Sequence, residues 1–231
     1  MRTLCLMFVL MIVLSGSCFA DTTAVDIYEM YTWISAPLVP YNPDPAAVLS
    51  GFNIVGNLVR WEAVSQGPIA YDDMSPEAFG AILLGDGYTM WVDPTNTEPP
   101  YQVVGQMRYD GVPNGVPDGS GNKTDMWISL PGNQVDSEDV GGLHWIGQPF
   151  NHDTSVVGNI YFTDGSSLKT WEDANGAGWV ENAMTKWDPV FQGPQVVTFD
   201  LGDDDHLRKG NGYQILTYRD NLAMIIPSDP S

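Results

Sequence analysis

The sequence predicts an all-β protein that consists of two tandem β-sandwich or barrel-like domains produced by an internal duplication. Two observations support this prediction. Short apolar segments, rich in aromatic and β-branched residues, alternate with turns of Pro, Gly, Asn and Asp, and no long amphipathic helix is predicted. Short phrases also recur in both halves of the chain, most clearly GDGYTMW at residues 85–91 and GNGYQIL at residues 210–216.

Residues 1–20 are predicted to be a secretory signal peptide. Arg2 precedes an apolar run at residues 4–14, and small residues before Asp21 match a cleavage site. The run is shorter than the ~20 residues that an uncleaved membrane anchor needs, and a lipid anchor on Cys18 is a further alternative. Both cysteines of the chain lie in this segment, so the processed protein would contain no disulfide. The expected location is secreted, extracellular or on the cell surface.

The chain is strongly acidic, with 29 Asp and Glu residues, nine Lys and Arg residues and a formal net charge of −20. Such a charge repels nucleic acid and anionic lipid, so neither is an expected partner. A solvated acidic surface would keep an exported protein soluble. Cation-dependent assembly and adaptation to a saline habitat are the alternatives that the charge leaves open.

The first predicted domain covers residues 21–109 and consists mainly of strands. Pro45 is expected to begin one short helix, because proline fits the first helical position. Ser75 and Pro76 predict another helical turn, with the serine as its cap. Strands are expected where aromatic and β-branched residues cluster, at residues 28–35, 51–61, 88–92 and 101–104.

A linker is predicted at residues 110–125. This segment concentrates Gly, Pro, Asn and Asp so densely that no buried strand is expected to pass through it. The second predicted domain, residues 126–231, repeats the order of the first with insertions. The matched phrases are TWISAPL at residue 32 with MWISLPG at residue 126, NIVG at residue 53 with HWIG at residue 144, RWE at residue 60 with TWE at residue 170, and GDGY with GNGY.

The recurring phrases follow one order: W-x-x-I-S-L-P, a V-L-x-G-I-like turn, W-E or W-D, G-x-G-Y-W-I and a final strand. They lie at residues 33–37, 48–51, 61–62, 85–91 and 101–104, and again at residues 127–131, 171–172, 210–216 and 222–226. This order resembles a repeated β-domain of secreted and cell-surface proteins of bacteria and archaea, although Ala36 replaces the Leu and Leu216 the aromatic residue of that pattern. The resemblance implies a noncatalytic extracellular module and implies no particular ligand.

The glycines and tyrosines of the two G-x-G-Y phrases have roles that need no ligand. The glycines are expected to supply positive φ or a close backbone approach where a strand begins. The tyrosines are expected to cover the core with the ring and to keep the hydroxyl in water. A strand follows each phrase, whereas a phosphate-binding loop needs a lysine or a helix there. The residues of this motif are Gly85, Gly87, Tyr88, Gly210, Gly212 and Tyr213.

The tryptophans support two alternative predictions. Trp33 and Trp127 precede Pro37 and Pro131, which end their strands, and each ring is expected to plug one end of a core. A platform that stacks on sugar rings is the alternative, if several tryptophans are coplanar and exposed. The candidates for this platform are Trp61, Trp91, Trp145, Trp171, Trp179 and Trp187.

Oxygen ligands for calcium cluster in two places. In the first place, at residues 110–118, the candidate ligands recur every four positions. This spacing differs from the alternate-residue loop of a calcium-binding hand and favours a linker of turns. In the second, a solvated acidic loop is the alternative. Apart from calcium, no cofactor is expected, and Asn122 begins a formal N-glycosylation sequon. The calcium candidates are Asp110, Asn114 and Asp118 in the first place and Asp203, Asp204 and Asp205 in the second.

The sequence lacks the common patterns of catalytic sites. It contains no H-E-x-x-H or G-x-S-x-G motif, and the processed chain would contain no cysteine nucleophile. The histidines, His144, His152 and His206, are dispersed and are expected to be surface or hydrogen-bonded polar residues. The many carboxylates single out no glycosidase pair. The sequence therefore predicts a protein that is not an enzyme.

The leading functional hypothesis is a secreted, noncatalytic structural or assembly protein of the cell surface or extracellular matrix, such as a subunit of a self-assembling filament or layer. Residues 21–35 are expected to be an edge or exchanged strand that pairs with a neighbouring subunit. The expected partners are further copies of the chain or other surface proteins. The alternative is an extracellular carbohydrate-binding protein whose exposed tryptophans stack on a glycan. A row of exposed rings favours the alternative, whereas buried rings and an open strand edge favour assembly.

Overall fold

In the computed structural model, the chain folds into antiparallel β-sheets with a few short helices. The structure describes residues 21–114, 124–133, 141–200 and 205–228. The predicted signal peptide and residues 115–123 of the predicted linker lie outside these ranges. We refer to residues 21–114 as the N-terminal half and to residues 124–228 as the C-terminal half. The prediction of a mainly β fold is confirmed.

Two sheets form the N-terminal half. Its elements are β1 (Asp21–Tyr28), β2 (Met30–Ser35), β3 (Leu38–Pro40), α1 (Pro45–Val48), β4 (Leu58–Glu62), β5 (Gly67–Ala70), α2 (Pro76–Phe79), β6 (Gly87–Val92) and β7 (Val103–Pro113). One sheet has the strand order β1-β7-β3 and the other the order β2-β6-β4-β5. In β1, Thr23, Val25 and Ile27 are buried while their neighbours are more exposed, as expected for a strand with one face on a core.

The C-terminal half contains two four-stranded sheets and one two-stranded sheet. Its elements are β8 (Met126–Leu130), β9 (Leu143–Gly147), β10 (Thr154–Ser155), β11 (Tyr161–Thr163), β12 (Leu168–Thr170), α3 (Trp171–Gly176), β13 (Val180–Asp188), β14 (Gly193–Thr198), β15 (His206–Leu207), β16 (Gly212–Thr217) and β17 (Leu222–Ile226). The strand orders are β12-β11-β17-β8, β14-β13-β16-β9 and β10-β15.

Each half has its own hydrophobic core. Ile27, Leu38 and Met107 belong to one cluster of buried apolar side chains, all of whose members lie in the N-terminal half. Phe162 and Met184 belong to a second cluster, whose members all lie in the C-terminal half. Burial of these apolar side chains is the main favourable contribution to folding, so each half supplies much of its own stability.

The short helices begin at the predicted prolines. Pro45 is the first residue of α1, and the Asp44 carboxylate accepts a hydrogen bond from the Ala46 backbone N–H at 2.9 Å. Pro76 begins α2, but the predicted cap is wrong, because the Ser75 hydroxyl donates to the carboxylate of Asp72. No helix in the ranges that the structure describes is long and apolar enough to cross a membrane.

The predicted linker begins too early in the chain. β7 continues through Asp110 to Pro113, and Gly111 pairs with Asp21 of β1 on one side and with β3 on the other. A Cβ atom on Gly111 would lie 2.2 Å from the carbonyl oxygen of Val39. The expectation that no buried strand passes here is therefore wrong, because this glycine permits a close approach of strands and does not mark a turn.

The strand predicted at residues 51–61 is shorter than expected. Only Leu58–Glu62 forms β4, and the preceding residues form turns. Gly51 and Gly56 have φ values of +99° and +72° in this segment. A residue with left-handed φ interrupts the extended backbone of a strand, so the apolar residues between these glycines could not form one.

Strand pairing changes which phrases of the two halves correspond. The G-x-G-Y phrases lead into β6 and β16, and β6 pairs with β2 whereas β16 pairs with β9. TWISAPL at residue 32 therefore corresponds in sheet position to HWIGQPF at residue 144. Its predicted match, MWISLPG, lies in β8, which pairs with β17. The other two matches are also wrong, because NIVG lies in a turn and TWE begins α3.

Candidate functional site

Two hairpins, β4–β5 and β13–β14, contain the same phrase. It reads W-E/D-x-V-x-Q-G-P and lies at residues 61–68 and 187–194. In both turns the glutamine has positive φ, +50° at Gln66 and +56° at Gln192. This conformation is uncommon for residues other than glycine. This repeat differs from the predicted match of RWE at residue 60 with TWE at residue 170.

Each of these glutamines bonds to the backbone of the opposite half. The Gln192 side chain accepts a hydrogen bond from the Tyr31 N–H at 3.0 Å and donates one to the Tyr31 carbonyl at 2.9 Å. The Gln66 side chain accepts from the Leu143 N–H at 2.8 Å and donates to the Leu143 carbonyl at 3.2 Å. Tyr31 lies in β2 and Leu143 begins β9, the two strands that correspond by sheet position. Both glutamines therefore join the halves through equivalent contacts.

The first glycines of the G-x-G-Y phrases also join the halves. The Ser35 N–H donates to the Gly210 carbonyl at 2.8 Å, and the Gly147 N–H donates to the Gly85 carbonyl at 2.8 Å. Gly85 and Gly210 have φ values of +85° and +78°, which glycine adopts without strain. This agrees with the expectation that these glycines supply positive φ.

The second glycine and the tyrosine of each phrase are closely packed. A Cβ atom on Gly87 would lie 2.5 Å from the Ile146 carbonyl oxygen, and one on Gly212 would lie 2.9 Å from that of Ile34, so both glycines allow a close backbone approach between the halves. Tyr88 covers the core as predicted, but its hydroxyl is not in water. It accepts a hydrogen bond from the Leu83 N–H at 2.8 Å, and the residue is only 1% exposed. Tyr213, also 1% exposed, accepts one from the Arg208 N–H in the same way.

Four tryptophan rings form a row between the halves, in the order Trp187, Trp33, Trp145, Trp61. Successive ring centroids are 5.8, 6.0 and 5.7 Å apart, and neighbouring planes differ by only 21° to 22°. The rings come alternately from the C-terminal and the N-terminal half, and all four are partly exposed. We call these four rings the tryptophan row.

A groove lies beside the tryptophan row. It has a volume of about 340 Å³ and combines two strand residues of the N-terminal half with four aromatic rings. Tyr31 belongs to this lining, is 44% exposed and contacts Trp187 and Trp91, with ring centroids 6.3 and 4.6 Å away. The lining residues of this aromatic groove are Tyr31, Trp33, Val59, Thr89, Trp145 and Trp187.

The structure separates the tryptophans that the sequence grouped. Trp61, Trp145 and Trp187 lie in the tryptophan row, and Trp91 lies beside Tyr31 at the groove. Trp171 and Trp179 are 1% and 6% exposed and belong to the C-terminal core, so they are not available to a glycan. Trp171 is buried because it begins α3, which packs on the core. Lys169 and Arg219 cover the ring of Trp179.

The two predicted core-plugging tryptophans lie elsewhere. Trp127 is 60% exposed on the edge strand β8, so its prediction as a core residue is wrong. The inward residues of β8 are Ile128 and Leu130, which leaves Trp127 on the opposite face of the strand. Trp33 belongs to the tryptophan row and does not plug a core. Pro37 follows the end of β2 as predicted, and Pro131 follows the end of β8.

A second, smaller cavity lies at the other end of the tryptophan row. It has a volume of about 70 Å³ and is lined by residues of both halves, including Arg60, Trp61, Asp86, His144 and Trp145. The Arg60 Nε, Trp61 Nε1 and Trp145 Nε1 atoms are buried and have no hydrogen-bond partner among the described residues. We call this the polar cavity.

Burial changes the pKa of two groups at the polar cavity. It raises the pKa of Asp86 to about 6, while the nearby Arg60 guanidinium opposes the increase. Burial lowers the pKa of His144 to about 4, so this imidazole is neutral near pH 7. The Nε2 atom of His144 lies 3.1 Å from the Thr217 hydroxyl. Asp86 is therefore the group of this cavity that changes charge closest to neutral pH.

The predicted calcium ligands do not converge in the part of the chain that the structure describes. Asp110 lies in β7 and accepts a hydrogen bond from the Thr22 hydroxyl at 2.8 Å, and Asn114 follows that strand. Asp205 contacts the ring of His206. Within the described residues, no three His, Cys, Asp or Glu side chains form a group that could hold a metal ion. The remaining candidates, Asp118, Asp203, Asp204 and the glycosylation candidate Asn122, lie outside the described residues.

No protein-family model, curated protein or solved structure matches this chain. The chemistry of the surface is therefore the basis for a functional proposal. The tryptophan row and the aromatic groove leave part of their aromatic surface exposed. The polar cavity adds N–H donors and one carboxylate at the end of the same row. Together these groups can hold a ligand that has both apolar faces and hydroxyl groups.

Proposed function

We propose that this protein is a secreted, noncatalytic carbohydrate-binding protein that holds a glycan along the tryptophan row and the aromatic groove. The observation that carries the proposal is the arrangement of the four rings, which are nearly parallel, have successive centroids 5.7–6.0 Å apart and remain partly exposed. The carbohydrate hypothesis called for coplanar, exposed rings. The rings of the row are instead stacked on one another and partly exposed, so a glycan would contact their edges and their uncovered surface.

The aromatic groove fits the shape and chemistry of a sugar residue. Pyranose rings present apolar C–H faces, which pack against aromatic rings, and hydroxyl edges, which need hydrogen bonds. The groove volume of about 340 Å³ lies at the lower end of the range of about 300–1,000 Å³ for small-ligand pockets. Thr89 in the lining of the groove can exchange hydrogen bonds with a sugar hydroxyl, while the aromatic side chains cover the C–H faces.

The charge of the protein favours a neutral glycan. A formal net charge of −20 repels uronate-rich or sulfated polysaccharides at moderate ionic strength. Neutral polysaccharides carry no such penalty, and stacking on aromatic rings does not depend on ligand charge. Neutral chains of hexoses or pentoses are therefore the proposed ligand class.

The tryptophan row also packs the two halves together. This packing role alone would be a simpler explanation of the row. Packing is best served by rings that are fully buried, as Trp171 is in the C-terminal core. All four rings of the row are only partly buried, and the aromatic groove beside them leaves further ring surface uncovered. This exposed aromatic surface is the support for a ligand-binding role in addition to packing.

Affinity electrophoresis tests the proposal. The chain from residue 21 onward is run through native gels that contain neutral glucans, xylans, mannans or galactans, and through gels with anionic polysaccharides of similar size. We expect retardation by at least one neutral polysaccharide, with little change on adding salt. Equal mobility in all gels would contradict the proposal, and retardation by anionic polysaccharides alone would contradict the proposed ligand class.

Assembly remains a second candidate, and the observation that favours it is the edge strand β14. This strand pairs only with β13 in its sheet, and Val196 at its centre is 54% exposed. An open strand edge offers backbone groups to another chain. Within the predicted residues 21–35, β1 is also an edge strand of its sheet, but Asn151 of the same chain bonds to its Asp21 and Thr23, which favours β14 as the open edge.

Sedimentation over a range of protein concentrations tests assembly through β14. If β14 is a contact between copies, the oligomer of the wild-type chain is lost on Val196→Lys, because a charged edge residue disfavours pairing. Val39→Lys is the matched control, since Val39 is also exposed on an edge strand. A monomer at all concentrations would remove this candidate.

A further inference from the structure

Three residues that line the polar cavity carry hydrogen-bond donors that no described residue satisfies. Arg60 Nε, Trp61 Nε1 and Trp145 Nε1 are all N–H groups that cannot accept a hydrogen bond. Each is buried without a partner among the described residues, and an unpaired buried donor costs free energy. A water molecule or a ligand hydroxyl in the cavity would supply the acceptor atoms that these donors lack.

The Asp86 carboxylate limits what that occupant can be. Asp86 lines the same cavity and is itself largely buried, and Glu62 lies close to Arg60, with 3.6 Å between Oε2 and Nη1. An anion would satisfy the three donors but would be repelled by both carboxylates and by the charge of the whole protein. A hydroxyl group accepts from an N–H and can donate to a carboxylate at the same time. A hydroxyl matches the mixed set of groups better than an anion does.

The size of the cavity selects a small part of a sugar. About 70 Å³ accommodates a few water molecules or the carbon and oxygen of a hydroxymethyl group. It lies well below the roughly 300–1,000 Å³ of pockets that enclose a whole small ligand. Trp61 and Trp145 line the cavity and also form the end of the tryptophan row, so a group that enters the cavity would project from a sugar stacked on the row.

We propose that the polar cavity is a subsite for the exocyclic hydroxymethyl group of a hexose whose ring packs at the end of the tryptophan row. The hydroxyl oxygen accepts hydrogen bonds from up to two of the three N–H groups and donates one hydrogen bond to the Asp86 carboxylate. The subsite distinguishes hexoses from pentoses, because a pentopyranose has no hydroxymethyl group to place there. This inference rests on the proposed carbohydrate-binding function.

The equivalent tryptophan of the other hairpin, Trp187, has a hydrogen-bond partner for its indole N–H. Trp187 corresponds to Trp61 in the repeated hairpin phrase, and its Nε1 atom donates to the Gln192 side chain at 3.1 Å. Gln66, the counterpart of Gln192, bonds to Leu143 and leaves the Trp61 N–H without a partner. The unsatisfied donors are therefore a specific feature of one end of the row and do not follow from the hairpin phrase itself.

Two matched oligosaccharides test the subsite. Cellohexaose and xylohexaose share the β-1,4 backbone and differ by the hydroxymethyl group on each residue. Titration calorimetry on the chain from residue 21 onward is expected to give an affinity at least tenfold higher for cellohexaose. Asp86→Ala is expected to reduce this ratio severalfold toward one without weakening xylohexaose binding. Trp61→Phe is expected to reduce the ratio as well and also to weaken the binding of both oligosaccharides, because Trp61 belongs to the tryptophan row. Asn211→Ala is the matched control, because Asn211 occupies the same place in the second G-x-G-Y phrase.

Each outcome of this titration has a distinct meaning. Equal affinities for the two oligosaccharides in the wild-type chain would overturn the subsite while leaving the carbohydrate-binding proposal in place. A cellohexaose preference that survives both Asp86→Ala and Trp61→Phe would also overturn it, because another site would then read the hydroxymethyl group. Binding of neither oligosaccharide, with folded protein shown by circular dichroism, would contradict the proposed function and the subsite together. Because Asp86→Ala and Trp61→Phe are tested separately, the subsite can still be tested if one of the two variants does not fold.

Discussion

Gln66 and Gln192 occupy the same position in two hairpin turns, and each forms two hydrogen bonds with one backbone position of the opposite half. These paired contacts lie at the two ends of the tryptophan row, whose outer rings, Trp61 and Trp187, precede the glutamines in the same phrase. The glutamines therefore hold in place the strands that carry Trp33 and Trp145. The shape of the proposed binding surface depends on the contact between the halves.

Replacing these glutamines tests that dependence. Gln66→Ala and Gln192→Ala each leave a backbone N–H and carbonyl without a partner, so each is expected to lower the free energy of unfolding by about 1–3 kcal/mol. Alanine keeps the same positive-φ strain as glutamine, which leaves the lost hydrogen bonds as the main difference. Urea unfolding followed by circular dichroism measures the effect. Gln106→Ala is the control, since its amide donates to the exposed Asp26 carboxylate, and an equal loss in the control would contradict this account.

Adding a methyl group at the G-x-G glycines tests the close approach of the halves. The Cβ atom of Gly87→Ala would lie 2.5 Å from the Ile146 carbonyl oxygen, and that of Gly212→Ala 2.9 Å from the Ile34 carbonyl oxygen. We expect each variant to lose roughly 1–3 kcal/mol of stability, because backbone must move to relieve the contact. Gly193→Ala is the control, since nothing lies near its Cβ position. Unchanged melting temperatures for Gly87→Ala and Gly212→Ala would show that the halves are not held this closely.

The raised pKa of Asp86 predicts that the stability of the fold depends on pH. Its pKa is about 6 in the folded protein and near 3.8 when exposed, so the folded state binds the proton more tightly. The ionised carboxylate therefore destabilises the fold above pH 6, and this cost disappears as the pH falls toward 3.8. Arg60, Glu62, Tyr88 and the neutral His144 surround the group and are included in this expectation.

Asp86→Asn isolates this effect because it removes the charge and keeps the shape. The variant is expected to be more stable than the wild-type chain by up to about 2 kcal/mol at pH 7–8, since one pKa unit corresponds to about 1.4 kcal/mol and the site is partly open to water. At pH 4 the two proteins are expected to have nearly equal stability. Denaturant unfolding at both pH values measures the difference. A difference that does not change with pH would show that Asp86 has an ordinary pKa.

The sequence predicted the fold class because the relevant signals are local. Short apolar runs between turns gave the strands, and Pro45 and Pro76 marked the starts of two helices. The G-x-G-Y glycines were also predicted correctly as sites of positive φ or close approach. The partner in that close approach is the opposite half of the chain, and no local pattern contains that information.

The sequence-based predictions that are wrong have a common physical cause. Gly111 looked like a turn residue, but another strand packs against it, and this depends on distant parts of the chain. Trp171 and Trp187 both precede an acidic residue, but one begins a helix in a core and the other lies in the tryptophan row. The signal that separates them, the shared W-E/D-x-V-x-Q-G-P phrase, was present in the sequence and was overlooked. The unpaired donors of the polar cavity depend on three-dimensional packing and had no sequence signal.

The most direct test of the carbohydrate-binding proposal uses a neutral polysaccharide that slows the protein in affinity electrophoresis. This polysaccharide is titrated by calorimetry into the wild-type chain, Trp187→Ala and Trp127→Ala. Trp187 lies in the tryptophan row and lines the aromatic groove, whereas Trp127 is more exposed and has no ring contact with the row among the described residues. The proposal predicts that Trp187→Ala lowers the affinity at least tenfold while the protein stays folded, and that Trp127→Ala changes it less than twofold. Equal affinities for the wild-type chain and Trp187→Ala would contradict the proposal and leave packing of the two halves as the role of the row.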